Sequence, residues 1–412
     1  MLHEYLRQVA AFSRPARLFL AAQFLYGIGQ AAVWVLRNLY LKSAGHGESF
    51  IGYTLAVQSL GMASVVLTLP LLMDRHRLRP FLVAGAFLLA ASLAGVVWVR
   101  GERAILACCF GSGVGIALLE VGTAPFFSRH SGGGERPFLF GFSTALSPTA
   151  GLLATLGLKA GEFAWGENPA SHARMLLTAA GFTAASMAVL ALIRESAPEP
   201  AEAGGDRFDW RTASRFFLPE LAFGLGAGLT IPFINLYFRN RFGLSAGTIG
   251  LTYSAAQALM MVAFLAAPLL ARRFGAVRTI VVFQLSSIPF FLALAFTVSL
   301  PVAIAAFVLR HACMNMVHPV GSHFAMEVVH PRQRARVNGL KQAANKVSWV
   351  VANSLGGVLI VSPPLFGRDG FATTMGITIV LYIVGSALYW RFFSKEPAGR
   401  VAAPEVEPTV ER

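Results

Sequence analysis

A chain of 412 residues that is 55% hydrophobic and only 13% charged, with a mean hydropathy of +0.61, carries more apolar surface than a soluble core of its length can bury. That composition excludes an ordinary soluble enzyme and indicates a protein built in a bilayer. The formal net charge of +14 does not point to nucleic acid, because the basic residues flank apolar runs, as the bias of Lys and Arg toward cytoplasmic loops requires.

The apolar runs are each long enough to cross a hydrocarbon core about 30 Å thick as a helix. Helices are required, since unpaired backbone groups cannot be left in lipid. Twelve spans are expected, near 18–41, 49–73, 80–100, 104–128, 138–160, 172–193, 214–239, 247–271, 279–300, 302–327, 338–361 and 370–393. The first run is too long for a signal-peptide core and stays as span 1. Cys108, Cys109 and Cys313 fall inside apolar runs without metal-type spacing, so no disulfide, metal site or cofactor is expected.

Lys and Arg on one side of this topology, among them Arg75, Arg77, Arg79, Arg129, Arg194, Arg272, Arg334 and Arg336, outnumber those on the other by more than two to one. Both termini are therefore expected in the cytoplasm. The stretch 194–213, with Pro198, Pro200, Gly204 and Gly205, reads as a flexible cytoplasmic linker between a six-helix unit at 1–193 and another at 214–394. The tail 395–412, with three prolines, reads as disordered.

The two units repeat each other. Gly27, Gly29, Asn38, Leu39 and Tyr40 correspond to Gly224, Gly226, Asn235, Leu236 and Tyr237 at an offset of 197. At an offset of 198 follow Ile51-Gly52 with Ile249-Gly250, and the endings Pro70-Leu71-Leu72 with Pro268-Leu269-Leu270. Six spans separate the copies, an even number, so the repeat is parallel.

With these features the chain resembles the major facilitator superfamily over its full length, most closely the bacterial drug/proton antiporter branch. The resemblance implies an all-α fold of about twelve transmembrane helices in two parallel six-helix repeats. Pro70 to Arg79 is similar to the family's signature loop Gly-x-Leu-Ala-Asp-Arg-x-Gly-Arg-Arg, matching it at Leu72, Asp74, Arg75 and Arg79 and departing from it at Pro70, Arg77 and Leu78. In the family this loop latches the cytoplasmic side, which implies that role for Asp74, Arg75 and Arg79; as ordinary topogenic charges the arginines would need no latch. Ser147-Pro148-Thr149-Ala150-Gly151 resembles the antiporter motif Gly-Pro-x-x-Gly with Ser for the first Gly, and also fits a plain proline kink.

Polar groups inside lipid are costly and turn toward a cavity or another helix. In span 1, Gln23, Gly27, Gln30, Trp34 and Arg37 form one stripe; His311, Asn315, His318 and Ser322 form a second in span 10; Gln342, Lys346, Trp349 and Asn353 form a third in span 11. The resemblance assigns spans 1, 4, 7 and 10 to the central cavity, with 2, 5, 8 and 11 completing its walls. On that basis substrate contacts are expected from these stripes, including Arg37 and Lys346, from Arg310, from Asn235 of span 7, and from Tyr253 and Gln257 of span 8.

Glu120 is the only acid near the middle of a span. It is the candidate for proton coupling, with a fixed ion pair to Lys346 as the alternative. Arg37, Arg310 and Lys346 facing one central acid suggest an anionic or zwitterionic solute, and Trp34, Trp349 and Tyr253 an amphiphilic one. Many drug antiporters, by contrast, take cations through acidic groups in span 1, which are missing here. The expected function is secondary active transport, as proton-coupled efflux of a small organic or amphiphilic solute by a monomer in the inner or plasma membrane. Uptake or exchange of an organic anion or lipid-like compound is the alternative. No enzyme motif such as His-Glu-x-x-His occurs, and no soluble output domain marks a receptor.

Overall fold

The computed structural model describes residues 12–73, 77–131, 136–195, 209–330, 333–365 and 367–395, and every regular element in them is helical. Twelve helices are long and apolar enough to cross a bilayer: Arg14–Ser43, Glu48–Leu69, Arg79–Trp98, Glu102–Arg129, Phe138–Trp165, Pro169–Ala191, Trp210–Phe242, Ala246–Phe274, Ala276–Phe296, Leu300–Val328, Arg336–Val361 and Gly370–Phe393. They are spans 1 to 12 in that order, and they make the chain an integral, multi-pass membrane protein. Residues 196–208 of the expected linker and the tail from 396 lie outside the described residues.

Local chemistry sets where spans begin. Ser13 caps span 1, its hydroxyl accepting from Ala16 N at 3.4 Å, and Pro15 follows in the first turn, where a missing N–H costs nothing. Asn168 ahead of Pro169 caps span 6 through Ser171 N at 2.9 Å, and Asp369 caps span 12 through Ala372 N at 3.0 Å. Asp209 caps span 7; hydrogen bonds from the Thr212 side chain and amide, with the Arg211 amide, hold its carboxyl below the usual range.

Prolines divide spans 7, 9 and 10; span 9 runs as Ala276–Ser286 and Ile288–Phe296, with Pro289 in the first turn of its second segment. Span 7 runs as Trp210–Thr230, a 3-10 turn Ile231–Phe233 around Pro232, and Ile234–Phe242. Span 10 ends its first segment at Asn315, four residues before Pro319, and restarts at Val317, because the proline ring clashes with the carbonyl four positions back. Pro148 stays inside one continuous helix.

Spans 1–6 pack chiefly on one another, span 1 against 5 and 6, span 4 against 2 and 3, span 3 against 6. Spans 7–12 do likewise, span 7 against 11 and 12, span 10 against 8 and 9, span 9 against 12. The two groups meet along two seams, span 2 on span 11 and span 5 on span 8. Each seam crosses a glycine. A Cβ on Gly52 would stand 2.7 Å from Asn353 O and 2.8 Å from Gly357 Cα, and one on Gly250 would stand 2.8 Å from Thr155 O. Only a residue without a side chain allows such backbone approach. Gly52 and Gly250 are the pair spaced 198 apart, one in each seam.

Candidate functional site

Between the seams lies a cavity of about 410 Å³ walled by spans 1, 2, 4, 5, 8 and 11. It gathers eight of the expected residues: Gln30 and Trp34, Glu120, Tyr253 and Gln257, and Lys346, Trp349 and Asn353. Helical spacing explains the grouping, since steps of three and four keep side chains on one face. A groove of about 470 Å³ beside Arg79, Phe87 and Met187, between spans 3 and 6, has an almost wholly apolar wall and no converging polar groups. The central cavity is therefore the candidate site.

The wall also contains residues the sequence stripes did not single out, among them Tyr26, Gln58, Ser59, Thr155 and Asn345. Gln58 and Ser59 are buried polar residues within an apolar run, a signal present in the sequence. Gln58 donates to Ser112 Oγ at 3.1 Å, and Ser59 Oγ accepts from Asn353 Nδ2 at 3.1 Å across the span 2–span 11 seam. Gly151, the last residue of the Ser-Pro-Thr-Ala-Gly stretch, leaves room for Gln257, whose Nε2 would lie 2.9 Å from a Cβ there.

One ion pair bridges the two groups within the cavity. Lys346 Nζ of span 11 lies 3.4 Å from Glu120 Oε2 of span 4, with the lysine side chain 18% and the glutamate 46% exposed. Glu120 is thus reachable by water as well as paired. The indoles of Trp34 and Trp349 also meet across the groups, with ring centroids 6.0 Å apart and planes at 41°.

Other expected contacts lie elsewhere. Arg37 is 5% exposed, is not on the cavity wall, and its Nε has no hydrogen-bond partner among the described residues. Arg310 is 4% exposed, donates to the Tyr382 hydroxyl at 2.9 Å and covers the Phe291 ring at 4.7 Å. It is built into the packing of spans 9, 10 and 12. His311, Asn315 and His318 are likewise off the wall, and Asn315 Nδ2 turns back to His311 O at 2.7 Å. Lys346, paired with Glu120, is the cation on the wall, so the expected cationic surplus is not found there.

Asp74 and Arg75 lie outside the described residues. Arg79 bonds within its own group, its amide to Glu195 Oε2 at 2.8 Å and its Nη2 to Ala191 O at 2.6 Å.

At the face carrying Ser43, contacts between the groups close the cavity. Asn38 Nδ2 donates to Pro232 O at 2.6 Å, and Asn235 Nδ2 donates to Val35 O at 2.7 Å, which puts Asn235 in this closure and off the cavity wall. Glu48 Oε1 accepts from Asn240 Nδ2 at 2.9 Å, and Glu162 Oε2 from Gly247 N at 2.8 Å. Glu167 Oε1 pairs with Arg239 Nη1 at 2.8 Å. Acids from the first group thus meet the amino end of span 8, where the helix dipole favours negative charge. Burial pushes the Glu167 carboxyl up, but His172, the Ala246 amide and Arg239 outweigh it and hold the carboxyl below its usual range.

Among the described residues no group of His, Cys, Asp and Glu could hold a metal ion. A comparison with curated proteins gives no match. Among solved structures, the chain is similar to a D-xylose-proton symporter (14% identity, TM-score 0.76, 94% of this chain and 98% of the other). It is also similar to a bacterial homolog of the human lysosomal transporter Spinster in an inward-facing, unoccupied conformation (15%, 0.74, 93% and 98%). A third likeness is to the nucleoside transporter NupG (13%, 0.71, 93% and 99%). At such identities the likeness shows the fold. The sequence pattern of the Major Facilitator Superfamily matches residues 19–296 and 216–411, which together span most of the sequence, and the chain belongs to that superfamily.

Proposed function

We propose that the chain is a secondary active transporter that moves a small organic solute through the cavity by alternating access. The observation that carries this is the Glu120–Lys346 pair, which joins the two groups across the cavity at 3.4 Å. Alternating access needs contacts between groups that solute and coupling ion can make and break, and a half-exposed pair is such a contact. The two six-span groups, 1–193 and 214–394, are the rocking halves, with both termini and the Arg129 face in the cytoplasm. The closed Ser43 face is then the outside, and the conformation is inward-facing. Asp74, Arg75 and Arg79 form the latch used when the cytoplasmic face closes. The cavity is complete within one chain, in keeping with a monomer in the cell membrane.

We further propose proton-coupled export, as in the drug/proton antiporter branch. A proton on Glu120 and a solute hydroxyl or amino group donating to its carboxylate each weaken the same pair. One carboxylate serving both makes their occupancies mutually exclusive, which gives exchange of solute for proton. The likeness to a protein described as a proton symporter supports the use of protons on this fold.

Reconstitution in proteoliposomes tests the proposal. An imposed pH gradient drives solute uphill in the direction opposite to the protons; solute flux that ignores the gradient removes the proton, and flux in the proton's direction makes the protein a symporter.

A further inference from the structure

We infer that the cavity selects an uncharged solute carrying one planar ring and several hydroxyl or amino groups. This rests on the cavity being the transport site and names the class of compound that fits it.

Four buried polar atoms of the wall lack a hydrogen-bond partner among the described residues: Gln30 Oε1, Gln257 Oε1, Trp349 Nε1 and Asn353 Oδ1. Their residues, on spans 1, 8 and 11, line one cavity. Turning over either glutamine amide would exchange acceptor for donor and leave the same position without a partner. Each such group costs about 1–3 kcal/mol when buried unpaired, and native structures hold few of them. Four in one cavity, three acceptors and one donor as they stand, define a polar surface that a donor-rich solute completes.

The same wall supplies the ring site. The Trp34 and Trp349 indoles, 6.0 Å apart and inclined at 41°, form an open wedge, and Tyr26 and Tyr253 add aromatic surface. A flat ring against such surfaces gains about 0.5–1.5 kcal/mol beyond its buried area. The volume, about 410 Å³, is in the range of small-molecule sites.

Charge sets the remaining condition. The carboxylate and the ammonium on the wall already face each other. A solute with net charge would enter with its charge unmatched or leave one of the pair so, which is costly inside a protein.

Calorimetric binding to the purified full chain, with uridine, phenyl glucoside, glucose, benzyl alcohol and uridine monophosphate as probes, tests the class. Uridine and phenyl glucoside bind about tenfold or more tightly than glucose, benzyl alcohol or the nucleotide, the factor expected for one lost hydrogen bond or stacking contact. Trp349→Phe keeps a ring but removes the indole N–H, and Gln30→Leu removes the amide; each weakens uridine about tenfold with a melting temperature no lower than the parent's, since an unpaired buried group is removed, while Gln342→Leu, at an exposed position of span 11, has no effect. Equal binding of all five probes, tighter binding of the nucleotide, or indifference to both site variants overturns the inference. If these probes fail while another solute is driven by a pH gradient, the solute class is wrong and the transport proposal stands. If uridine binds but no solute moves, the transport proposal falls and the class survives.

Discussion

Asn38 and Asn235 hold one another's helices reciprocally, each donating to the carbonyl three residues before the other asparagine, Pro232 O at 2.6 Å and Val35 O at 2.7 Å. Two contacts in which i reaches toward j as j reaches toward i have the form of a twofold interface. The asparagines also stand 197 positions apart, the spacing of Gly27 with Gly224 and Gly29 with Gly226.

Because the two bonds share one interface, Asn38→Ala and Asn235→Ala are expected to be non-additive, with a coupling of about 1 kcal/mol. Thermal unfolding of the two single variants and the double variant reads this directly. Spin labels at positions 44 and 368 should also report a wider Ser43 face in each variant; strict additivity with unchanged distances would separate the asparagines from the closure.

The seams make a sharper demand. Gly52→Val and Gly250→Val place carbon against Asn353 O and Thr155 O, so each should open the Ser43 face and abolish solute exchange. Gly157→Val, where nothing lies within 4 Å of a Cβ, serves as the control and should leave both unchanged.

Acid should loosen the same face. The Glu167 carboxyl is held below its ordinary value by His172, the Ala246 amide and Arg239 against the cost of burial. Its contribution is therefore complete above the ordinary carboxylate pKa of about 4.3 and is lost as pH falls through the lower folded value. Arg239 is partly exposed, so the pair contributes no more than about 1 kcal/mol and weakens with salt. Glu167→Gln should show at neutral pH part of the widening that the parent protein reaches only in strong acid, and the acid response should shrink to what Glu48 and Glu162 of the same closure contribute.

Arg310 and Lys346 were expected to share a role, and their surroundings now separate them. Arg310→Ala leaves the Tyr382 hydroxyl without its donor and should cost about 2 kcal/mol or more of stability, with the ratio of anionic to neutral solute affinity unchanged. Lys346→Ala should alter that ratio with little loss of stability. Melting temperature and a two-solute binding comparison distinguish the two.

The twelve spans are legible because lipid punishes polar groups, and helical spacing puts Gln30 and Trp34 of span 1 and Lys346, Trp349 and Asn353 of span 11 on one wall, while Arg37 and Gln342 of the same stripes are off it. The 3.4 Å contact of Lys346 with Glu120 is the ion-pair alternative that the sequence leaves open beside proton coupling. A stripe fixes an angle around its own helix but not the neighbour that it faces: His311, Asn315 and His318 share a face of span 10 and are off the cavity wall, and Arg310, which is outside that stripe, is turned to spans 9 and 12. Gln58 and Ser59 were overlooked because span 2 shows isolated polar residues in place of a stripe. Asn38 and Asn235 stand out in the sequence by their shared spacing of 197, but no spacing reveals that their helices bond to each other.

The coupling role of Glu120 is tested most directly by Glu120→Gln in proteoliposomes, with gradient-driven accumulation and gradient-free exchange of the same solute measured side by side. The account predicts that the variant still binds and exchanges solute but no longer accumulates it against a concentration difference when a pH gradient is imposed. Accumulation equal to that of the unaltered protein would contradict it.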